Sequence, residues 1–216
     1  MNDLLKEYIE KEIFPMYQKN EEGHQLSHIE YVLRRSFFFA RQLSDVNLDM
    51  VYTIGSFHDV AHHIDKDHHE ILSAQMFYQN EKMKDFFTEK ERQTMKEAIE
   101  DHRASLEYIP RSIYGKIIST ADRTTNLDMC LKRTHAYTLK HFPNYSLKEQ
   151  IERAYRYVLE KYGKMVYAKI YFFVPDFLAF QEEIESFKKD PSAFAKKYID
   201  INFNEKKKHI LKKSIY

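Results

Sequence analysis

The sequence predicts an all-α fold, and two observations carry this prediction. Glycine and proline, which break helices, number only 4 and 5 among 216 residues, so long helices are favoured over a sandwich of short strands and turns. Apolar residues also recur three or four positions apart along most of the chain, as one buried helix face requires. With 43% hydrophobic and 31% charged residues, the composition is that of a globular protein. We therefore expect one helical domain over residues 1–200 and a basic tail over residues 201–216.

The individual helices follow from these apolar faces, taken in chain order. Four faces show helical spacing: Ile29, Val32, Leu33, Phe37, Ala40 and Leu43; Val51, Ile54, Gly55, His58 and His62; Met95, Ala98, Ile99 and His102; and Ile117, Ala121 and Thr124. Further on, the tract 147–187 predicts one or two long helices that are interrupted near Pro175. In all we expect about nine helices, with those of residues 146–200 packed onto a central bundle.

Charge and cysteine content argue against several classes of function. A net charge of +1 gives no reason to expect nucleic acid binding. The sequence has no run of about 18 apolar residues, so no membrane span is expected. The N-terminus lacks the basic and then apolar plan of a signal peptide. The single Cys130 excludes an intramolecular disulfide and a cysteine-based zinc site. Together these features predict a cytoplasmic protein without a membrane partner.

Histidine and aspartate residues recur in an order that indicates metal binding. The candidates are His28, His58, Asp59, His69, His102 and Asp122. Imidazole and carboxylate bind divalent first-row metals when no thiolate is present, and a helical bundle can bring such residues together in its core. Each histidine alone is more often a hydrogen-bonded core or surface residue, and the chain has 11 of them. His135, His141 and His209 match no pattern and are expected at the surface.

Three segments that carry these residues resemble one family. They are G-H-Q-L-S-H-I-E-Y-V, I-G-S-F-H-D-V-A-H and G-K-I-I-S-T-A-D-R. In this order, over residues 23–125, they resemble the HD-domain superfamily of metal-dependent phosphohydrolases. The resemblance implies a helical domain with a metal site in its core. It also implies that His28, His58, Asp59 and Asp122 bind metal, while His24 has a supporting or structural role.

Two further segments resemble superfamily members that bind two metal ions. The segment H-H-E-I-L-S-A matches with His69, and I-E-D-H-R matches with His102. Bacterial HD-type diadenosine tetraphosphate hydrolases share this ligand order. The resemblance implies that Asp59 bridges two ions and that His69 and His102 bind the second. A single ion with four ligands stays open, and the adjacent His68 leaves open which histidine of the pair is the ligand.

The chain also departs from patterns within the superfamily. Many dinuclear members carry H-D-x-x-K, with a lysine that contacts the substrate phosphate, whereas this chain has His62 at that position. Neither the H-D-x-x-E-D of guanosine polyphosphate hydrolases nor the G-Y-P of cyclic dinucleotide hydrolases occurs. We therefore expect His62 either to donate a hydrogen bond to the phosphate or leaving oxygen, or to hold a ligand carboxylate in place.

The expected reaction is hydrolysis of a phosphoester or phosphoanhydride bond in a nucleotide or another small phosphorylated metabolite. One or two divalent ions (Fe, Mn, Co, Ni, Zn or Mg) would convert a bound water into hydroxide near neutral pH. Asp59 would offset their charge, and Asp122 would orient the water or accept its proton. Arg103, Lys116 and Arg123 lie beside candidate ligands and either clamp phosphate or are solvated charges.

Two other functions share the same residues. HD-fold diiron oxygenases use the same ligand order, and a catalytically silent HD module would serve as a sensor or scaffold, although none of the four core ligands is missing here. Most aromatic residues of the C-terminal part are expected in the core, with one or two left to stack on a nucleobase. A homodimer through apolar helix faces stays open.

Overall fold

The computed structural model describes residues 1–163 and 168–204, and every regular element within them is helical. The α-helices are α1 (Asp3–Tyr8), α2 (Leu26–Ala40), α3 (Leu48–Phe57), α4 (His69–Gln79), α5 (Glu89–Glu100), α6 (Ile113–Ala121), α7 (Leu127–His141), α8 (Leu147–Tyr162), α9 (Pro175–Lys189) and α10 (Pro191–Ile199). Short π-helical or 3-10 segments cover Ile9–Ile13, Phe14–Lys19, Glu22–His24, Glu81–Asp85 and Asp200–Asn204. The predicted all-α fold is confirmed, with ten α-helices in the described residues against about nine expected.

Local sequence explains where several helices begin. The side chain of Asn47 accepts hydrogen bonds from the first amides of α3, and Ser112 caps α6 in the same way. At α5, Thr88 and Glu91 form a reciprocal capping box. Pro175, where the sequence predicted an interruption, is the first residue of α9, because proline needs no amide partner at that position.

The chain divides into two compact units. The first consists of Met1–Arg123 with Lys169–Phe173, and the second of Thr124–Ala168 with Val174–Tyr216. Residues 164–167 and 205–216 of the second unit lie outside the described ranges. Tyr167, His209 and most of the predicted basic tail are among these residues. The expectation of one domain over residues 1–200 stays a prediction.

Helix α3 is the centre of the first unit. Every residue from Met50 to Phe57 is buried, and α3 contacts α2, α4, α5 and α6. Helices α2 and α3 approach closely at Gly55, where a Cβ atom would lie 2.6 Å from Cδ2 of Leu33. This close approach brings the start of α2 near the end of α3.

In the second unit, α8 contacts α7, α9 and α10. Aromatic side chains are buried in the core of the second unit, namely Tyr162, Phe177, Phe180, Phe187, Phe194 and Tyr198. The expectation that most aromatic residues of the C-terminal part lie in the core holds only in part, since Tyr155, Tyr157, Tyr171 and Phe172 are half-buried and Phe173 is exposed. Such rings bury large areas and pack edge to face; Phe187 and Phe194, for example, have centroids 5.4 Å apart at an interplanar angle of 81°.

One sequence expectation about α3 was wrong. The helix ends at Phe57, and the chain continues in tight turns in which the amide of His62 donates to the carbonyl of Asp59 at 3.0 Å. His58 and His62 therefore do not share one α-helical face. The other predicted faces also ran slightly too far, since Leu43, His102 and Thr124 lie beyond the ends of their helices.

Among the residues that the model describes, no helix is both long enough and apolar enough to cross a membrane.

Candidate metal centre

The six predicted metal ligands come together inside the first unit, and each lies at or near a helix end. His28 lies in the first turn of α2, His58 caps the end of α3 and is followed by Asp59, His69 begins α4, His102 follows α5, and Asp122 caps α6. Helix ends leave backbone groups unpaired, so a polar cluster is most easily accommodated where helices end. The fold thus gathers at one point residues that lie up to 94 positions apart.

Asp59 is at the centre of this cluster and only 2% exposed. Its Oδ1 lies 3.1 Å from Nε2 of His69 and 3.5 Å from Nε2 of His102. Its Oδ2 lies 3.5 Å from Nε2 of His28 and 3.6 Å from Nε2 of His58. Oδ2 also lies 2.7 Å from Nδ1 of His24, so the two carboxylate oxygens face two different sets of histidines.

Asp122 lies with His28 and His58 on the side of the cluster that Oδ2 of Asp59 faces. Its Oδ1 lies 3.1 Å from Nε2 of His28, and its Oδ2 accepts a hydrogen bond from the guanidinium of Arg123 at 3.2 Å. Burial lowers the pKa of His28, but the two carboxylates outweigh it and raise that pKa to about 9. Burial raises the pKa of Asp122, but His28, His58 and Arg123 outweigh it and hold that pKa below its ordinary range.

Hydrogen bonds to the backbone fix the orientation of three of the histidine rings. In each ring Nδ1 faces the carbonyl oxygen three residues earlier: His58 with Gly55 at 2.8 Å, His69 with Lys66 at 2.9 Å and His102 with Ile99 at 2.6 Å. A carbonyl oxygen can only accept, so Nδ1 carries the proton in all three rings. In the neutral ring Nε2 is then left with a free lone pair, the arrangement that histidine ligands to metals show.

These lone pairs converge. Nε2 of His69 lies 3.1 Å from Nε2 of His102, and two lone pairs at this distance require a proton or a metal ion between them. Nε2 of His28 and Nε2 of His58 are buried and make no hydrogen bond with good geometry, although Asp122 is within reach of the first. Burial is the main reason why the pKa of His58 falls to about 4, so this ring is neutral at pH 7.

Three groups of donor atoms are compact enough to hold a metal ion, each with its donors within 4.8 Å of one another. Their members are His28, His58 and Asp122; Asp59, His69 and His102; and His24, His28 and Asp59. Carboxylate, and imidazole once it has lost its second proton, are donors that fit a divalent first-row metal. Buried polar atoms without partners are costly, and the residues present therefore fit one or two metal ions.

His24 and His62 lie beside the cluster. Nδ1 of His24 is 2.7 Å from Oδ2 of Asp59, and the ring of His24 stacks on that of His62 with centroids 3.8 Å apart. Burial, followed by the charge of His24, lowers the pKa of His62 to about 4. His62 also approaches the ring of His69, at 5.0 Å between centroids, but unlike His24 it belongs to none of the three groups of donors.

The remaining histidines separate clearly from the cluster. The side chain of His68 is 72% exposed and pairs with Asp65, so it is His69 that the fold brings to Asp59. His141 is exposed, as expected. His135 is half-buried and bonds to the hydroxyl of Tyr198, which corrects the expectation that it lies on the surface.

Arg103 and Arg123 were expected to clamp phosphate or to be solvated. They instead bond to residues next to the candidate metal ligands. Arg103 pairs with Glu70 at 3.1 Å and donates to the carbonyl oxygen of Asp67. Arg123 is only 3% exposed, and it donates to the carbonyl oxygen of His102 at 2.9 Å as well as to Asp122. Lys116, the third of this set, is half-buried on α6.

Sequence reasoning missed Asn20. This residue is 4% exposed; its amide nitrogen donates to the carbonyl oxygens of Asp59 and His24, and its Oδ1 accepts from the amide of His63. It thereby ties the loop before α2 to the turn that carries Asp59. In the sequence Asn20 is only a turn-like residue before E-E-G, so no signal there indicates this role.

Fold and site together define an all-helical protein with a buried histidine and aspartate cluster that could hold a divalent metal. Residues 26–127 match the family model described as the HD domain, a range that includes all six clustered residues. This match, over 102 of the 216 residues, supports the predicted resemblance to the HD-domain superfamily. Proteins with this domain bind divalent metals and are typically metal-dependent hydrolases, although some are catalytically inactive. Searches of curated proteins and of solved structures returned no match.

Proposed function

We propose that the protein is a metal-dependent phosphohydrolase that acts on a small phosphorylated substrate, such as a nucleotide. One observation carries the proposal: the two oxygens of Asp59 face separate sets of histidine nitrogens, and two of those nitrogens lie 3.1 Å apart. A carboxylate placed in this way is suited to bridge two ions. Dinuclear centres are typical of enzymes that hydrolyse phosphate esters and anhydrides.

The residues that would hold the metal fall into two sets that share Asp59. The first set is His28, His58, Asp122 and Oδ2 of Asp59, and the second is His69, His102 and Oδ1 of Asp59. Divalent ions in these positions would lower the pKa of a coordinated water to about 7 and neutralise charge on phosphoryl oxygens.

The protein's own groups would orient this centre and handle protons. Backbone carbonyls hold the imidazole rings, and Arg123 holds Oδ2 of Asp122. The side chain of Asp122 is 21% exposed, against 3% for Asp59, so Asp122 is the carboxylate better placed to accept a proton from water. His62, beside His24 and His69, is our candidate for donating a hydrogen bond to a substrate oxygen.

Measurements of metal content and of turnover together test the proposal. We expect two divalent ions per chain in the wild type and one in His69→Ala, with hydrolysis of phosphomonoester or nucleotide substrates lost in Asp59→Asn and after chelation. The exposed His141→Ala should retain wild-type metal content and activity.

Two outcomes would contradict this function. Turnover by Asp59→Asn that needs no metal would show that the cluster is not the active site. A centre that contains only iron and consumes oxygen, without any phosphate release, would assign the protein to the oxygenases instead.

A further inference from the structure

Among the residues of the three donor groups, His24 has the most exposed side chain. It is 32% exposed, against 5% for His28 and 0% for His58. The carboxylate of Asp59 is 3% exposed and that of Asp122 is 21% exposed. The innermost donor atoms are therefore shielded from solvent, whereas His24 lies at the exposed edge of the cluster.

His24, His28 and Asp59 form a ligand set of their own. Nδ1 of His24 lies 2.7 Å from Oδ2 of Asp59, and Nε2 of His28 lies 3.5 Å from the same oxygen. The three donors lie within 4.8 Å of one another. Two imidazoles and one carboxylate, with the remaining coordination positions open, are a known set for divalent first-row metals. At the exposed edge of the cluster, water can fill those open positions.

This set cannot be occupied at the same time as the buried set of His28, His58 and Asp122. A ring nitrogen has one lone pair and binds one ion, and Nε2 of His28, which lies 3.1 Å from Oδ1 of Asp122, belongs to both sets. Exchange of His24 for His58 and Asp122 would transfer an ion from the exposed edge to the buried donors. His28 and Oδ2 of Asp59 would remain its ligands throughout.

The local structure holds His24 in this position. It ends the short segment Glu22–His24 before α2, and the amide nitrogen of Asn20 donates to its carbonyl oxygen at 3.0 Å and to that of Asp59 at 2.9 Å. The alternative role for His24 is a supporting hydrogen bond from Nδ1 to Asp59. The two roles differ in their consequences, because loss of a supporting bond weakens metal binding, whereas loss of a transient ligand slows metal exchange without changing affinity.

We propose that His24, His28 and Asp59 form the entry position of the metal centre, where a divalent ion binds before it reaches His58 and Asp122. This inference rests on the proposed function in that the cluster must bind metal. A buried metal site needs an entry path. The ligands at the exposed end of that path determine how fast metal binds, and the buried ligands determine how tightly it is held.

Rapid mixing of the metal-free, full-length protein with Co²⁺ tests this position, because the visible absorption of bound Co²⁺ reports binding without turnover. His24→Asn keeps an N–H donor near the place of Nδ1 but removes the metal ligand. We expect this variant to bind Co²⁺, and to release it into excess chelator, at least about tenfold more slowly than the wild type, with an unchanged Kd. His24→Asp places a carboxylate oxygen at the same point and should keep the wild-type rates.

Two controls complete the measurement. His69→Ala removes a ligand of the second set and so identifies the kinetic phase that belongs to the ion at His28. His141→Ala changes an exposed histidine and should leave both rates unchanged.

Wild-type rates in His24→Asn would overturn the proposal. A weaker Kd that results from faster release would overturn it as well, since a supporting hydrogen bond behaves in this way. If the wild type itself bound no Co²⁺, the metal-dependent function would fall together with this inference. Normal metal binding in a protein whose rates do not depend on His24 would count against the entry position alone.

Discussion

At the scale of the residue, Arg123 links the two halves of the metal centre. Its guanidinium bonds to the carboxylate of Asp122 on one side and to the backbone of His102 on the other, and it also bonds to the hydroxyl of Ser119. Because Oδ2 of Asp122 is engaged in this way, Oδ1 is the oxygen that faces His28. A buried group in this position fixes the ligands without binding metal itself.

We therefore predict that Arg123→Gln weakens metal binding by about 10–100-fold, as loss of a supporting hydrogen bond commonly does. Stepwise metal titration by calorimetry measures this effect. The control is Arg41→Gln, the same change at an exposed position, which should bind metal like the wild type. Unchanged affinity in a folded Arg123→Gln would show that Asp122 holds its orientation without the guanidinium.

At the scale of the element, the metal centre depends on how closely α2 and α3 pack. These helices bring His28 and His58 together, and a larger residue at Gly55 requires the side chain of Leu33 to shift, because its Cδ2 would lie 2.6 Å from an added Cβ. A small residue at a helix contact lets two backbones approach. A small residue at this position is thus favoured by the packing against Leu33 and not by its backbone conformation, since Gly55 is helical.

Gly55→Val should lower the free energy of unfolding by about 1–3 kcal/mol, the usual cost of overpacking a core. Metal affinity should fall as well, because the two helices move apart. Urea denaturation and metal titration measure the two effects.

Leu33→Ala tests whether the contact between Leu33 and residue 55 causes this loss of stability. Combined with Gly55→Val, it should give a loss of stability smaller than the sum of the two single losses, because the added methyl groups then occupy the vacated space. Strictly additive losses would mean that the contact between α2 and α3 at this point does not limit the packing.

At the scale of the whole molecule, all six candidate ligands belong to the unit formed by Met1–Arg123 and Lys169–Phe173. Metal that binds only the folded form stabilises that form by mass action, by about 2.7 kcal/mol when its free concentration is 100 times Kd. The ligands come from five helix ends that are distant in sequence. A bound ion would thus connect segments that the chain itself connects only through loops.

Chelation should consequently lower the melting temperature and speed amide hydrogen exchange in α2–α6. Exchange in α8–α10, which contain none of the ligands, should change little. Hydrogen-exchange mass spectrometry with and without chelator gives both readings. Equal loss of protection in α8–α10 would contradict a stabilising effect that is confined to the unit with the ligands.

Much of the fold and the cluster could be predicted from the sequence. Scarce glycine and proline together with the spacing of apolar residues predicted helices, and the segments around His58–Asp59 and Asp122 predicted a metal centre. Helix ends were predicted less well, since α3 stops at Phe57 although the apolar spacing continues to His62. The stop is set by the turn that carries Asp59, and its hydrogen bonds to Asn20 and Ser73 come from distant parts of the chain.

What the sequence by itself determined is the chemistry: which helices form, and that imidazole and carboxylate groups at their ends suit a divalent metal. Only the tertiary structure shows that His69 rather than His68 lies beside Asp59, and that Arg123 and Asn20 form hydrogen bonds around the cluster. The physical reason is that periodicity and residue type are local properties, whereas burial and hydrogen-bond partners depend on segments that meet only after the chain has folded.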